Sequence, residues 1–119
     1  MPQTLEELAV QDCVPCKGGV PALQDPELTA LVRKLGPPWQ LIEEHHIERE
    51  YSFDDYPAAV AFTNAVARIA HEQDHHPDIL LTYGMVKVTM WTHKADGLTL
   101  NDFVCAAKIE KMFKEGTYA

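Results

Sequence analysis

Basic residues are scarce. Lys and Arg number 10 against 18 Asp and Glu, a formal charge of −8, which repels phosphate backbones and argues against a direct nucleic-acid partner. Long apolar runs are also missing: no stretch approaches the roughly 18 residues of a membrane span. The opening MPQTLEELAVQD carries acids where a signal peptide needs basic residues and an apolar run, so no membrane association and a cytoplasmic location are the expectations. Cysteines are three, an odd count, so a disulfide framework cannot use all of them and a reducing compartment is the simpler assumption. Repeats, low-complexity tracts and an interdomain linker are lacking, and a second full domain does not fit in 119 residues. At that length roughly 65% of the extended chain's surface can be buried, enough for one core without metal or disulfide staples.

The chain divides into an arm over 1–24, which holds a short helical hint and the CVPCKGGVP leader, and a single domain over 25–119. Asp25-Pro26-Glu27 resembles a helix start, and Leu28, Leu31, Val32 and Leu35 form an i, i+3, i+4, i+7 stripe that ends at Gly36-Pro37-Pro38. Between Trp39 and Phe53 the period shortens to two, which predicts strands over 39–43 and 46–53 turning near Glu44-His45. Asp54 or Asp55 caps a helix bearing Ala59, Phe62, Val66 and Ile69, which must stop by about Asp74 because Pro77 disfavours a helical His76. Two further strands, 79–83 and 85–91, flank Gly84. Thr99 with Asp102 forms a capping box before a helix bearing Phe103, Ala106, Ile109, Met112 and Phe113. The expected fold is α+β, a four-stranded antiparallel sheet with helices packed on one face in the order α-β-β-α-β-β-α.

The chemistry concentrates in His71-Glu72-Gln73-Asp74-His75-His76-Pro77-Asp78, where a helix gives way to a strand. Imidazoles both accept and donate protons at cellular pH, and neighbouring carboxylates fix their tautomer. Adjacent histidines in an extended loop point to opposite sides, so His75 and His76 cannot do the same job. His93 lies just past the last strand, which can return it to the same end of the sheet. A metal site would use His71, His75 and His93, but helix termination before Pro77 weighs against the first two sharing a face. Cys13-Val14-Pro15-Cys16 has neither a second ligand pair for zinc nor the strand-to-helix setting of a thiol-exchange site, and reads as a turn with two free thiols. His45 and His46 read as solvated turn residues. Asp102 belongs to a capping box and also lies near the loop of His93, where it can orient an imidazole.

The spacing of His71, three residues, His75-His76-Pro77, five residues, Tyr83, nine residues, His93, eight residues and Asp102 resembles the signature of the pterin-4a-carbinolamine dehydratase family. Trp39, Phe53-Asp54, Thr92-His93 and Gly97-Leu98-Thr99 extend the resemblance over about residues 36–113, and CVPCKGGVPAL looks like the leader of many relatives. The resemblance implies a hydro-lyase that removes water from 4a-hydroxytetrahydropterin to give quinonoid dihydropterin, recycling the cofactor of aromatic amino-acid hydroxylases. It implies His75 and His93 as an acid/base pair and His76 as a pterin-orienting residue, with Asp74 and Asp102 as supporting carboxylates and His71, Pro77 and Tyr83 completing the site. No metal or cofactor is implied, because the pterin is the substrate. One departure is His71, where many relatives carry Glu. The expected partners are a pterin, a functional link to an aromatic amino-acid hydroxylase, and further copies of the chain in a homodimer or homotetramer. Members of the family also serve as dimerisation partners of a transcription factor, and look-alikes without the histidines serve in enzyme assembly, so a non-catalytic dimerisation or assembly module is the alternative.

Overall fold

The computed structural model describes residues 4–14 and 21–118. Its elements are α1 (Leu5–Ala9), α2 (Glu27–Leu35), β1 (Gln40–Ile42), β2 (His46–Ser52), α3 (Tyr56–Gln73), β3 (Asp78–Leu81), β4 (Met85–Met90), a 3₁₀ turn over His93–Ala95, and α4 (Leu100–Glu115). The four strands form one antiparallel sheet in the order β1-β2-β4-β3, so each hairpin contributes one edge strand and one central strand. The α+β expectation holds.

The inner sheet face is the apolar parity of the sequence. Ile47, Tyr51, Val86, Val88 and Met90 are buried against Ala59, Phe62 and Val66 of α3 and against α4. The outer face carries Glu48, Glu50, Lys87, Thr89 and a 53% exposed Leu80, with Lys87 paired to Glu48 at 3.5 Å. Pairing of Ile47 with Met90 and Tyr51 with Val86 keeps the two apolar sets on one face; a slip of one residue would turn them outward. Gly84 is needed at the β3–β4 turn because a Cβ there would lie 2.9 Å from the Phe53 carbonyl oxygen, closer than real Cβ atoms come to backbone.

The segment read as an arm does more than lead in. The Thr4–Glu7 capping box starts α1, whose Leu8 is fully buried in the core. Lys108 of α4 donates to the Ala9 carbonyl at 2.7 Å, where a cation meets the negative end of the helix. With α1 on one flank and the sheet side on the other, the first half of α4 is buried nearly all round, from Asn101 to Ala107.

One buried ion pair crosses the core. Glu110 accepts from Trp39 Nε1 (3.0 Å) and Tyr51 Oη (2.9 Å) and pairs with the Arg49 guanidinium, which also lies 4.1 Å from the Tyr51 ring centroid. Burial holds Tyr51 far above its ordinary pKa, and the neighbouring Glu110 carboxylate adds to the shift. The first hairpin turns one residue earlier than the pattern predicts: Glu43 and Glu44 both have left-handed φ, 52° and 54°, and His45 N–H closes on Ile42 at 2.9 Å. Because Ile42 pairs with His46, the loop holds three residues, 43–45, one more than the pattern predicts, with the two left-handed residues at its start.

Candidate active site

His75 owes its position to the way α3 ends. Asp74 adopts a left-handed cap with φ 51°, its N–H returns to His71 at 3.2 Å, and the His75 N–H returns to Ala70 at 3.0 Å. This pair of backward bonds is a Schellman motif. It turns the chain sharply and sends the His75 side chain toward the start of α4, while Pro77 directs the chain into β3.

There the imidazole meets Asp102. His75 Nε2 lies 2.5 Å from Asp102 Oδ1, with the side chains 12% and 0% exposed. The other carboxylate oxygen accepts from Thr92 Oγ1 at 2.7 Å and from the Thr99 backbone N–H at 2.8 Å. Asp102 is therefore the acid of the capping box and the partner of an imidazole at once. An acceptor this well satisfied fixes His75 as an Nε2–H donor and leaves Nδ1 as the acceptor. The sequence placed this carboxylate beside the loop of His93; the structure pairs it with His75, because the Schellman turn, not the 3₁₀ turn, delivers a ring to the α4 N-terminus.

His93 sits on a closed loop. Thr92 N–H donates to Gly97 at 2.8 Å and Gly97 N–H returns at 3.4 Å, so residues 92–97 form a small ring that presents His93 to solvent. Its imidazole stacks on Trp91, centroids 4.5 Å apart and planes 13° apart. Trp91 has the outer-face parity of β4, where an indole would lie open. Besides His93, His45 and His46 cover it, with ring centroids 5.8 and 6.1 Å away. His45 Nε2 also lies 2.9 Å from Asp96 Oδ1. The solvated-turn reading of His45 and His46 is thus corrected: the β2–β4 pairing brings their turn beside Trp91, and both rings are half buried.

A cleft of about 610 Å³ opens over these groups, lined by Asp74, His75, His76, Trp91, Thr92 and His93 together with Cys13, Val14, Glu72, Gln73, Lys94 and Asn101. Of the residues singled out in the sequence, His75, His76, His93 and Asp74 line it directly, and Asp102 reaches it through His75. His71 is exposed outside the lining and touches the site through the His76 ring, 6.3 Å away. Pro77 shapes the exit from the site without lining it. Tyr83 is not brought there: β3 carries the chain away for four residues, roughly 13 Å of strand rise, and Tyr83 stands 70% exposed against Tyr56 at 6.4 Å.

Sequence reasoning missed Trp91 and Thr92 as site residues, along with Gln73 and Asn101. Trp91 at an outward parity next to a histidine was the available signal. Among the described residues no group of three or more His, Cys, Asp or Glu could hold a metal ion. Cys13 and Cys105 are free thiols; burial pushes their pKa values up to about 11 and about 12, away from the thiolate that thiol exchange requires. Cys16 lies outside the described residues.

The geometry has counterparts. A profile of the family described as pterin 4 alpha carbinolamine dehydratase matches residues 21–112. A protein of Rubrobacter xylanophilus, provisionally named pterin-4-alpha-carbinolamine dehydratase, is 48% identical over 108 residues, 91% of this chain and 100% of its own. A protein of Alkaliphilus metalliredigens with the same provisional name is 41% identical over 111 residues, 93% of this chain and 100% of its own. The crystal structure of a transcriptional coactivator/pterin dehydratase from Brucella melitensis superposes with TM-score 0.72 at 32% identity, covering 76% of this chain and 97% of that one. A pterin dehydratase-like RuBisCO assembly factor of the alpha-carboxysome shares the fold at TM-score 0.55 and 19% identity, over 66% of this chain and 92% of its own. With the profile spanning most of the chain and full-length relatives aligning from end to end, this protein belongs to the pterin 4 alpha carbinolamine dehydratase family.

Proposed function

We propose that the chain is a 4a-hydroxytetrahydropterin dehydratase working by metal-free histidine acid/base catalysis. The observation that carries this reading is the cleft into which His75, His76 and His93 converge, with His75 held in one tautomer by a buried carboxylate. In the reaction the C4a–O bond breaks, its electron pair leaves with the oxygen, one proton is delivered to that oxygen to release water, and the N5 proton departs as the C4a=N5 bond of the quinonoid product forms. His75 is suited to take the N5 proton at Nδ1, because Asp102 stabilises the imidazolium that results. His93, exposed on its closed loop against Trp91, is the acid of this reading and protonates the departing hydroxyl. His76, which lines the same cleft, orients the heterocycle. His71 acts through His76, so the exchange of a carboxylate for an imidazole there changes orientation more than proton transfer.

Three imidazoles gathered in one cleft favour catalysis over a dimerisation or assembly role, which needs no such cluster. Self-association belongs to the proposal as well: the outer sheet face is uncovered by any described helix and β1 and β3 are open edges. Light scattering at micromolar concentration should give at least a dimer mass. The activity test is direct. Added to a phenylalanine hydroxylase reaction, the protein should accelerate quinonoid dihydropterin formation, and EDTA should leave that acceleration intact. No acceleration at equimolar enzyme would refute the dehydratase, and loss of activity in EDTA would refute its metal-free mechanism.

A further inference from the structure

The stretch Asp12–Val14 is tied to the two helix ends that carry the site. Gln73, two residues before His75, accepts from the Cys13 backbone N–H at 2.7 Å and donates through Nε2 to Asp12 at 3.1 Å. Asn101, next to Asp102, accepts from the Val14 N–H at 3.0 Å and donates to the Val14 carbonyl at 2.7 Å. The Cys13 thiol donates to the Asn101 carbonyl at 3.5 Å. Each amide thus spends both its acceptor and its donor on this one segment, which fixes its orientation and seats the segment along the cleft. Cys13 and Val14 contribute to the lining, and they do so from outside residues 21–112, the part matched by the family profile.

Val14 is the informative side chain. It is 68% exposed although its backbone is held at both N–H and C=O, so the fold places an apolar group at the rim of a polar cleft and leaves most of it open. A flat heterocycle entering toward the histidines would cover it.

We propose that Asp12–Val14 is a substrate strap: it forms a wall of the cleft and packs on the bound pterin, and Gln73 and Asn101 are positioning residues that seat it. This inference rests on the pterin reading of the site. Ligand affinity is then set partly by how often the strap is seated, since the apparent Kd scales inversely with the fraction of chains in the binding-competent state.

The test uses the full chain in a Cys16→Ser background, so that Cys13 is the rim thiol reporting on the strap. Cys13 alkylation by iodoacetamide at pH 8 is followed by peptide mass spectrometry with and without 7,8-dihydrobiopterin, and the Kd of that pterin is measured by fluorescence. Pterin should slow Cys13 alkylation at least about fivefold, the factor for one added contact of ordinary net strength. Gln73→Ala/Asn101→Ala should speed alkylation of the free protein about 25-fold or more, the factor for loss of two or more such bonds, and should raise Kd and KM about five- to tenfold while kcat falls less than about twofold. Val14→Ala leaves every tether in place and should raise Kd roughly threefold through lost apolar contact, which keeps the proposal testable if the double variant folds poorly. If the parent binds pterin and turns it over, yet Cys13 alkylation ignores the ligand and Val14→Ala keeps the parental Kd, the strap is refuted and the dehydratase reading stands. If pterin protects Cys13 but no turnover occurs, the strap stands and the dehydratase reading falls. If the parent does not bind pterin at all, both fall.

Discussion

Replacing Asp102 with Asn separates the two jobs of this residue. Thr92 Oγ1 and the Thr99 N–H both donate to Oδ2, so the amide oxygen of Asn must take that position and its NH₂ must face His75 Nε2. The imidazole is then forced to accept at Nε2 and carry its proton on Nδ1, the reverse of its native tautomer. The capping box survives. Each of three bonds loses its charge assistance, about 0.5–1 kcal/mol apiece, while the cost of burying a charge disappears, so the net loss should be about 1–2 kcal/mol. For a chain of this size that is a Tm fall of roughly 4–8 °C. Turnover should fall far more, on the order of 10²–10⁴-fold, because Nδ1 can no longer accept the N5 proton and no preorganised carboxylate stabilises the imidazolium. Stopped-flow decay of 4a-hydroxytetrahydropterin read beside differential scanning calorimetry gives both quantities. A variant with the expected Tm whose kcat stays within about fivefold of the parent would show that Asp102 is a helix cap and nothing more.

Four further outcomes are expected. His75→Ala and His93→Ala should each lower kcat by at least about 10² with little change in Tm, whereas His76→Ala should chiefly raise KM; steady-state kinetics checks this, and full activity in His75→Ala removes the mechanism. Trp91→Ala takes away the surface on which His93 stacks and should lower kcat roughly tenfold, the scale expected for a misplaced catalytic group, with an unchanged KM as the check that binding survives. Glu110→Ala leaves Arg49 buried without its carboxylate and the Trp39 N–H and Tyr51 hydroxyl without their acceptor, a loss of about 3–5 kcal/mol, read as a large fall in the urea midpoint; replacing Arg49 with Met in the same chain should recover part of it. Stability should also decline in alkali. Cys13 and Cys105 are raised by burial to about 11 and about 12 from 9.0, so above pH 9 the unfolded chain has released thiol protons that the folded chain still holds, and stability falls as pH rises from about 9 toward 12. A Tm that falls more steeply in the parent than in a Cys13→Ser/Cys105→Ala variant would assign the difference to the two thiols; the decline left in the variant above about pH 10 belongs to Tyr51, whose hydroxyl is also raised by burial.

Local chemistry made much of this protein legible in its sequence. The Thr99-x-x-Asp102 box and the Asp55 cap depend on side chains bonding to backbone within four residues, the stop before Pro77 depends on the proline disfavouring a helical His76, and the alternation of Ile47, Tyr51, Val86 and Val88 depends only on the pleat. The family resemblance added the histidines as a set. What the sequence could not decide is which groups meet across the fold. The first turn uses two glutamates at positive φ, a conformation their side chains give no hint of, so it falls a residue earlier than the alternation suggests. Trp91 acquired three imidazole neighbours only because β2, not β1, pairs with β4. Asp102 met His75 and not His93 because the exit direction of α3 is set by a Schellman turn whose angle no local pattern specifies. The CxxC of the leader names no partner, yet Asp12–Val14 reach the cleft through Gln73 and Asn101, residues about 60 and 87 positions away. Contacts at such separations are fixed by packing the whole core, which is why the sequence named the candidate site residues and only the tertiary structure decided which of them meet.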